Sequence, residues 1–119
     1  MIEVMDQSRG NIIGLHVTGK LHEKDYAEFL PKLEDLFTQY GKLRVLFFAD
    51  PDFEGWDMSA AWQDASVGFR HAADFERLAV VGAPDWVEWC IRLSGFLFKG
   101  DVKIFPPDQL DDAWGWIQG

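Results

Sequence analysis

Residues 43–49 read LRVLFFA, and residues 77–82 read RLAVVG. Both runs are almost entirely apolar and lack the polar–apolar alternation of a strand with one wet face. Unbroken apolar runs of this length are typical of parallel strands that are covered on both faces. The two stretches therefore predict the central strands of an α/β sheet.

Helical spacing runs through the segment from His22 to Tyr40. The apolar side chains that recur there at three- and four-residue steps are Tyr26, Phe29, Leu30, Leu33, Leu36, Phe37 and Tyr40. Pro31 interrupts this pattern, and an internal proline bends a helix at a cost of about 3 kcal/mol. Because the periodicity continues past Pro31, we expect one kinked helix that stops at Gly41.

The rest of the chain alternates strands and helices around these elements. Ile2–Met5 and Asn11–Val17 predict an opening β-hairpin, helices are expected over 58–74, 85–99 and 106–117, and a last strand over Val102–Phe105. The order β-β-α-β-α-β-α-β-α predicts a single α/β domain over residues 1–119. We expect a mixed, mostly parallel five-stranded sheet with an antiparallel edge strand and about four helices on its two faces.

Composition narrows the partners that this domain is expected to bind. The net charge is −9, from eleven Lys and Arg against twenty Asp and Glu, which argues against nucleic acid because its binding requires cationic side chains. The single cysteine, Cys90, permits no intrachain disulfide, and it reads as a small buried hydrophobe in an apolar helix. Without a secretory signal or a stretch long enough to span a bilayer, we expect a cytoplasmic protein.

Four carboxylates follow the strand 43–49, a position where ligand sites often lie in α/β sheets. They are Asp50, Asp52, Glu54 and Asp57. Their spacing does not match an EF-hand. A phosphoacceptor site would also need a pair of acidic residues at the end of the first strand, where the sequence has only Asp6. We therefore expect a solvated acidic loop without a metal ion.

The three histidines, His16, His22 and His71, stand apart in the chain and do not form an HxH or HxxxH pair, which argues against zinc. A histidine acting as general base needs a partner within reach, and the sequence identifies none. No GxSxG, P-loop or GxGxxG motif occurs. We therefore expect no enzymatic activity and no cofactor.

Aromatic residues are unusually abundant, at 15% of the chain with six Trp and ten Phe. The predicted helix over 85–99 is apolar around most of its circumference, so it is covered by neighbouring elements, pairs with a second copy, or meets a ligand or membrane. We predict an apolar pocket between the two helices over 58–74 and 85–99, with arginines as anchors for a carboxylate or phosphate head group. Its predicted ligand-binding residues are Phe53, Trp56, Trp62, Phe69, Arg70, Trp86, Trp89, Arg92 and Phe96.

Four stretches that cover most of the chain resemble the SpoIIAA-like family. They are NIIGLHVTGKLHEKDYAEFLPKLEDLF (11–37), KLRVLFFADPDFEGWDMSAAWQD (42–64), FERLAVVGAPDWVEW (75–89) and KIFPPDQLDDAWGWI (103–117). This family is similar to STAS domains, the anti-sigma-factor antagonists, and to CRAL-TRIO lipid carriers in fold. The resemblance implies a mixed sheet with its first strand antiparallel, a mobile helical lid over an apolar cleft, lipid-like ligands or membrane association, and no catalysis.

Phosphorylated STAS antagonists carry an Asp-Ser-Ser-Gly-type motif after the third strand. The corresponding residues 56–61 read Trp-Asp-Met-Ser-Ala-Ala, so Ser59 is the only serine there and the motif is missing. We expect Ser59 or Asp57 to cap a helix rather than Ser59 to be phosphorylated.

Together these features predict a non-catalytic regulatory or binding module. Its expected partner is an apolar or amphipathic small molecule or a membrane surface, which would place it in the cytoplasm or peripherally at the membrane. The alternative is a STAS-type protein–protein interaction module, as a homodimer or with another protein, in a bacterial regulatory pathway.

Overall fold

Seven strands and two α-helices form the part of the chain that the computed structural model describes, which is residues 1–57, 74–82 and 101–119. The strands are β1 (Ile2–Val4), β2 (Ile12–Val17), β3 (Lys20–Leu21), β4 (Leu43–Ala49), β5 (Gly55–Trp56), β6 (Phe75–Val81) and β7 (Asp101–Phe105). The helices are α1 (Glu23–Tyr40) and α2 (Leu110–Gln118), with a 3-10 turn at Pro107–Gln109 before α2.

The main sheet has five strands in the order β1-β2-β4-β6-β7. The strands β1 and β2 pair antiparallel, whereas β2, β4, β6 and β7 run parallel. The apolar run 43–49 lies at the centre, where Phe47 has Leu15 and Val80 as its register partners. The predicted mixed sheet with an antiparallel edge strand is therefore confirmed.

Helix α1 packs against one face of the sheet. It begins after His22 and ends at Gly41, whose φ of 79° suits glycine and whose N–H donates to the Phe37 carbonyl at 2.8 Å. Pro31 lies inside the helix on an exposed position. The core on this face joins apolar residues of α1 to those of β2 and β4, namely Ile13, Leu15, Phe29, Leu33, Phe37, Leu43 and Val45.

Helix α2 packs against the opposite face, over β4 and β6. Its Ala113, Trp114 and Ile117 are buried against Leu46, Ala79, Val81 and Phe105. The indole of Trp114 lies directly on β2 at Gly14, where a Cβ would come within 2.5 Å of the ring atom Cη2. Glycine at position 14, which has no side chain, therefore leaves the space that the Trp114 indole occupies.

Two arginines of the sheet donate hydrogen bonds to backbone carbonyl groups at the carboxyl end of α2. The last turn of α2 has no basic residue of its own. Arg44 donates to the Ile117 carbonyl at 3.1 Å, and Arg77 donates to the Trp116 carbonyl at 2.6 Å. The guanidinium of Arg77 also lies 5.4 Å from the centre of the Trp116 ring. Cations at this position complement the partial negative charge of a helix carboxyl end.

A second, two-stranded sheet pairs β3 with β5 in parallel. The sequence predicted only a loop between residues 50 and 57, so β5 corrects that expectation. Strands of two residues are too short to show periodicity, and β5 forms because its backbone pairs with β3 rather than because of its own pattern.

Two of the predicted helices are confirmed as α1 and α2. The helix predicted over 85–99 lies outside the described residues, and so does the helix predicted over 58–74 except for Asp74, which forms a turn. The histidine His71 and the cysteine Cys90 lie outside them as well.

Candidate functional site

The carboxyl ends of β2 and β4 lie side by side, and the chain that leaves β4 folds along the chain that leaves β2. We call residues 50–57 the edge loop and residues 16–22 its seat. The edge loop is joined to the seat by backbone hydrogen bonds along its length, from Asp50 N–H to Val17 O at 2.9 Å, from Glu54 N–H to Gly19 O at 2.8 Å and from Asp57 N–H to Leu21 O at 2.9 Å. The edge loop is therefore an ordered part of the fold.

A histidine–carboxylate pair stands at the start of the edge loop. His16 Nε2 lies 2.9 Å from Asp50 Oδ1, and the imidazole stacks on Phe48 with ring centres 5.0 Å apart. The other oxygen of Asp50 accepts a hydrogen bond from the Asp52 backbone N–H at 3.1 Å. This backbone hydrogen bond, followed by the one to His16, lowers the pKa of the Asp50 carboxyl.

A second pair stands at the end of the edge loop. His22 Nδ1 lies 2.8 Å from Asp57 Oδ2, with the imidazole about half exposed. The backbone N–H of His22 donates to the Asp25 carboxylate at 2.8 Å, which stabilises the first turn of α1. One residue thus joins the start of α1 to the edge loop.

Sequence reasoning missed both pairs. Their partners lie 34 and 35 residues apart, so no local motif reports them. The acidic loop was predicted to be merely solvated, but Asp50 and Asp57 bind histidines, and the Asp52 carboxylate accepts from the Gly19 backbone N–H at 3.2 Å. The available signal was that His16 lies next to the last residue of one predicted strand and Asp50 directly follows another, so that both lie near carboxyl ends of strands.

The two pairs hold imidazole rings at fixed orientations on the sheet edge. A carboxylate that accepts from one ring nitrogen leaves the other nitrogen of a neutral imidazole as an acceptor. Within the described ranges, no three His, Cys, Asp or Glu side chains lie close enough to hold a metal ion together. The two pairs therefore join the edge loop to β2 and to the start of α1 through charge-assisted hydrogen bonds.

The lowered pKa of Asp50 predicts a pH-dependent loss of stability in the variant Asp50→Asn. A carboxyl whose folded pKa is depressed stabilises the fold above its unfolded pKa of about 3.9, and this stabilisation disappears as the pH falls through the folded pKa. We expect Asp50→Asn to melt below the wild type at pH 7, and the two melting curves to converge at the lowest pH.

Thermal unfolding followed by circular dichroism between pH 2.5 and pH 7 measures this difference. Asp35→Asn, on the exposed side of α1, makes the same charge change and is the matched control. A difference between wild type and Asp50→Asn that stays constant across the pH range would contradict the prediction.

Of the predicted ligand-binding residues, Phe53 is described in full. It is 7% exposed and packs in a core cluster with Val17, Leu21, Tyr26 and Ala49. Its ring also meets Phe47 edge-on, with centres 5.9 Å apart. Packing therefore accounts for an aromatic residue at position 53.

The backbone of Trp56 lies in β5, next to the seat. The other predicted site residues lie outside the described residues: Trp62, Phe69, Arg70, Trp86, Trp89, Arg92, Phe96 and the serine Ser59. Their roles stay predictions.

Comparison with known proteins places this chain in a family. A profile of the SpoIIAA-like family matches residues 12–118, which is nearly the whole chain. The chain belongs to the SpoIIAA-like family. Family members are generally non-enzymatic, and the similarity to CRAL-TRIO carriers stays a prediction.

A solved structure is similar to this SpoIIAA-like chain over almost its full length. It is the crystal structure of an uncharacterized protein of the DUF3478 family from Shewanella loihica, which has a SpoIIAA-like fold. The two are 25% identical, with a TM-score of 0.78, and the alignment covers 98% of this chain and 92% of the other. No curated protein matches this sequence. Neither helix in the described ranges is long and apolar enough to cross a bilayer.

Proposed function

We propose that this SpoIIAA-like chain is a non-catalytic regulatory module that binds an apolar or amphipathic, lipid-like ligand or a membrane surface through the segments 58–74 and 85–99. The observation that carries the proposal is the distribution of aromatic residues between these two segments and the described core. The similarity in fold that we expect between this family and CRAL-TRIO lipid carriers favours the same class of ligand.

The described part of the chain uses its phenylalanines for packing. Phe29, Phe37, Phe53 and Phe105 are buried, and Phe47, Phe48 and Phe75 are half-buried against the core clusters. Six further Trp and Phe residues belong to the two segments, namely Trp62, Phe69, Trp86, Trp89, Phe96 and Phe98. Six Trp and ten Phe are more large aromatic side chains than the core of a 119-residue domain usually holds, which supports an external apolar partner.

Both segments start from the same edge of the sheet. Asp57 ends the edge loop, which leaves the carboxyl end of β4, and Gly82 follows the carboxyl end of β6, which is the strand next to β4. A Cβ on Gly82 would lie 3.0 Å from the Ala49 carbonyl oxygen, so the two strand ends are in close contact. Ligands of open α/β sheets bind at this edge.

Native mass spectrometry tests the proposal after delipidated protein has been incubated with a panel of fatty acids and lysophospholipids. We expect a one-to-one complex with a long-chain member. Removing a large aromatic from an apolar contact costs about 1.5–3 kcal/mol, so Trp62→Ala and Trp89→Ala should each weaken binding by roughly 10- to 100-fold.

Tyr40→Ala removes an exposed aromatic at the end of α1, 43% exposed, and is the matched control, with unchanged binding expected. Liposome co-sedimentation with neutral vesicles, run in parallel, reports binding to a membrane surface. A folded protein that takes up neither free lipid nor vesicles would overturn the proposal.

The same two segments could instead bind a second copy of the chain in a protein–protein interaction module. Size-exclusion chromatography with light scattering distinguishes this alternative from lipid binding. A dimer that Trp89→Asp converts into a folded monomer, together with no lipid uptake, would assign the surface to a second copy of the chain.

A further inference from the structure

The strand β7 is the last strand of the main sheet, and in the described part of the chain its one neighbouring strand is β6. Phe105 directs its backbone groups to β6, because its carbonyl accepts the Gly82 N–H at 3.0 Å. Successive residues of a strand direct their backbone groups to alternate sides, so the N–H and carbonyl groups of Val102 and Ile104 face away from β6. We call this outward side of residues 101–105 the β7 edge. A further strand can add to a sheet at an edge of this kind.

Two opposite charges stand on one face of β7. Asp101 and Lys103 are both exposed, and they share a face with Phe105, which is buried against α2. The ammonium of Lys103 lies 5.1 Å from the centre of the Phe105 ring, in agreement with this placement. Neither charged side chain forms an ion pair with another residue in the described ranges. Both charges are therefore available to a strand that adds at the β7 edge.

A second copy of β7 fits this edge when it runs antiparallel about a twofold axis at Val102. The outward N–H and carbonyl groups of Val102 then exchange two hydrogen bonds with those of Val102 in the second copy. In the same register, Asp101 lies opposite Lys103 of the second copy, and Lys103 lies opposite its Asp101. Residues directly opposite in an antiparallel pair have Cβ atoms about 4.5–5.5 Å apart, which is within reach of an ion pair. The β7 edge is therefore complementary to itself in both hydrogen bonding and charge.

Other strand pairings between two copies lack this balance. The edge strand β1 carries one charged side chain, the carboxylate of Glu3, so two copies of β1 have no opposite charges to pair. A pairing of two β7 strands centred on Lys103 would place the two lysines opposite each other, which is unfavourable. Two chains of net charge −9 repel each other, so a contact that joins opposite charges is the one that favours association.

We propose that two copies of the chain associate through their β7 edges into one continuous sheet, in which Asp101 and Lys103 of each copy pair with Lys103 and Asp101 of the other. This dimer goes beyond the function proposed above and does not depend on a lipid-like ligand. It also differs from a dimer through the segments 58–74 and 85–99, because Trp89→Asp should leave it intact.

Sedimentation equilibrium of the full chain, at concentrations up to about 1 mM, tests this dimer. We expect the wild type to dimerise. Asp101→Lys and Lys103→Asp should each weaken dimerisation by roughly 10- to 100-fold, because each variant places like charges opposite each other at two symmetric positions. Lys32→Asp, on the exposed side of α1, changes the net charge as Lys103→Asp does and is the matched control, with nearly unchanged dimerisation expected.

Mixing the two charge variants tests the register itself. Asp101→Lys has two cations on β7 and Lys103→Asp has two carboxylates, so the two variants should form a mixed dimer although each associates poorly with itself. The doubly exchanged chain Asp101→Lys, Lys103→Asp should dimerise as the wild type does, and circular dichroism shows whether each variant is folded. A monomeric wild type, folded charge variants that dimerise as well as the wild type, or folded charge variants that do not pair with each other would overturn the proposal.

Discussion

Replacing Trp114 with alanine is expected to lower the free energy of unfolding by about 3–5 kcal/mol, the cost typical of removing a large buried aromatic side chain. Trp114 is 7% exposed and lies at the centre of the cluster that joins α2 to β4 and β6. Its Nε1 is buried and has no hydrogen-bond partner in the described part of the chain, so the loss reflects packing rather than a broken hydrogen bond. Urea denaturation monitored by circular dichroism measures it.

Gly14→Ala tests the same contact from the other side. A methyl group at position 14 would meet Trp114 ring carbons at 2.5 and 2.6 Å, so we expect about 1–3 kcal/mol of destabilisation from overpacking. In the Trp114→Ala background only Met5 Cβ, at 3.3 Å, stays close to the added methyl group, so the same substitution should cost much less. A double-mutant cycle measures this coupling.

The chain offers a matched control on α2. A Cβ at Gly115 meets no described residue within 4 Å, and replacing a helical glycine with alanine gains about 0.4–1 kcal/mol. Gly115→Ala should therefore stabilise the protein while Gly14→Ala destabilises it. Strictly additive costs for Gly14→Ala and Trp114→Ala would show that the two residues do not share the contact described.

Leu21→Ala is expected to cost about 2–5 kcal/mol, which is large for a residue in a two-residue strand. Leu21 is completely buried and packs with Val17, Tyr26, Ala49 and Phe53, although β3 itself lies at the sheet edge. Its carbonyl also accepts the Asp57 N–H. Leu21→Ala should therefore lower the free energy of unfolding in urea. It should also reduce the hydrogen-exchange protection of the Asp57 amide by more than the change in global stability explains.

Lys20→Ala is the control for this prediction, because Lys20 is the exposed neighbour on the same strand. Its change in stability should stay within about 0.5 kcal/mol, as is usual for surface substitutions. Equal losses for Lys20→Ala and Leu21→Ala would show that the backbone of β3, and not the buried leucine, stabilises the edge.

The sequence predicted those elements whose own residues carry a long regular pattern. The strand 43–49 forms over the predicted residues, and the helix expected from His22 to Tyr40 begins one residue later with His22 as its cap. The strand expected from Arg77 starts at Phe75, because its first residues pair with β4 at a register shift that local pattern does not show. Elements without a pattern, such as β5, were missed.

The candidate site divides along the same line. The sequence showed four acidic residues after the strand 43–49, where ligand sites of α/β sheets often lie, but we expected only a solvated loop there. The hydrogen bonds of those residues could not be predicted from the sequence. His16 and Asp50, like His22 and Asp57, are separated in the chain by α1 and β4 and come together only in the folded protein.

By itself, the sequence determined the class of fold, the alternation of strands and helices, and the acidic, aromatic-rich character of the chain, because periodicity and composition are local properties. The tertiary structure alone decided that Gly14 seats Trp114, that Arg44 and Arg77 satisfy the end of α2, and that two histidines fasten the edge loop. Each of these contacts joins residues far apart in the chain. Their meeting depends on strand register and on which face each helix covers, and both are set by burying the whole apolar surface at once.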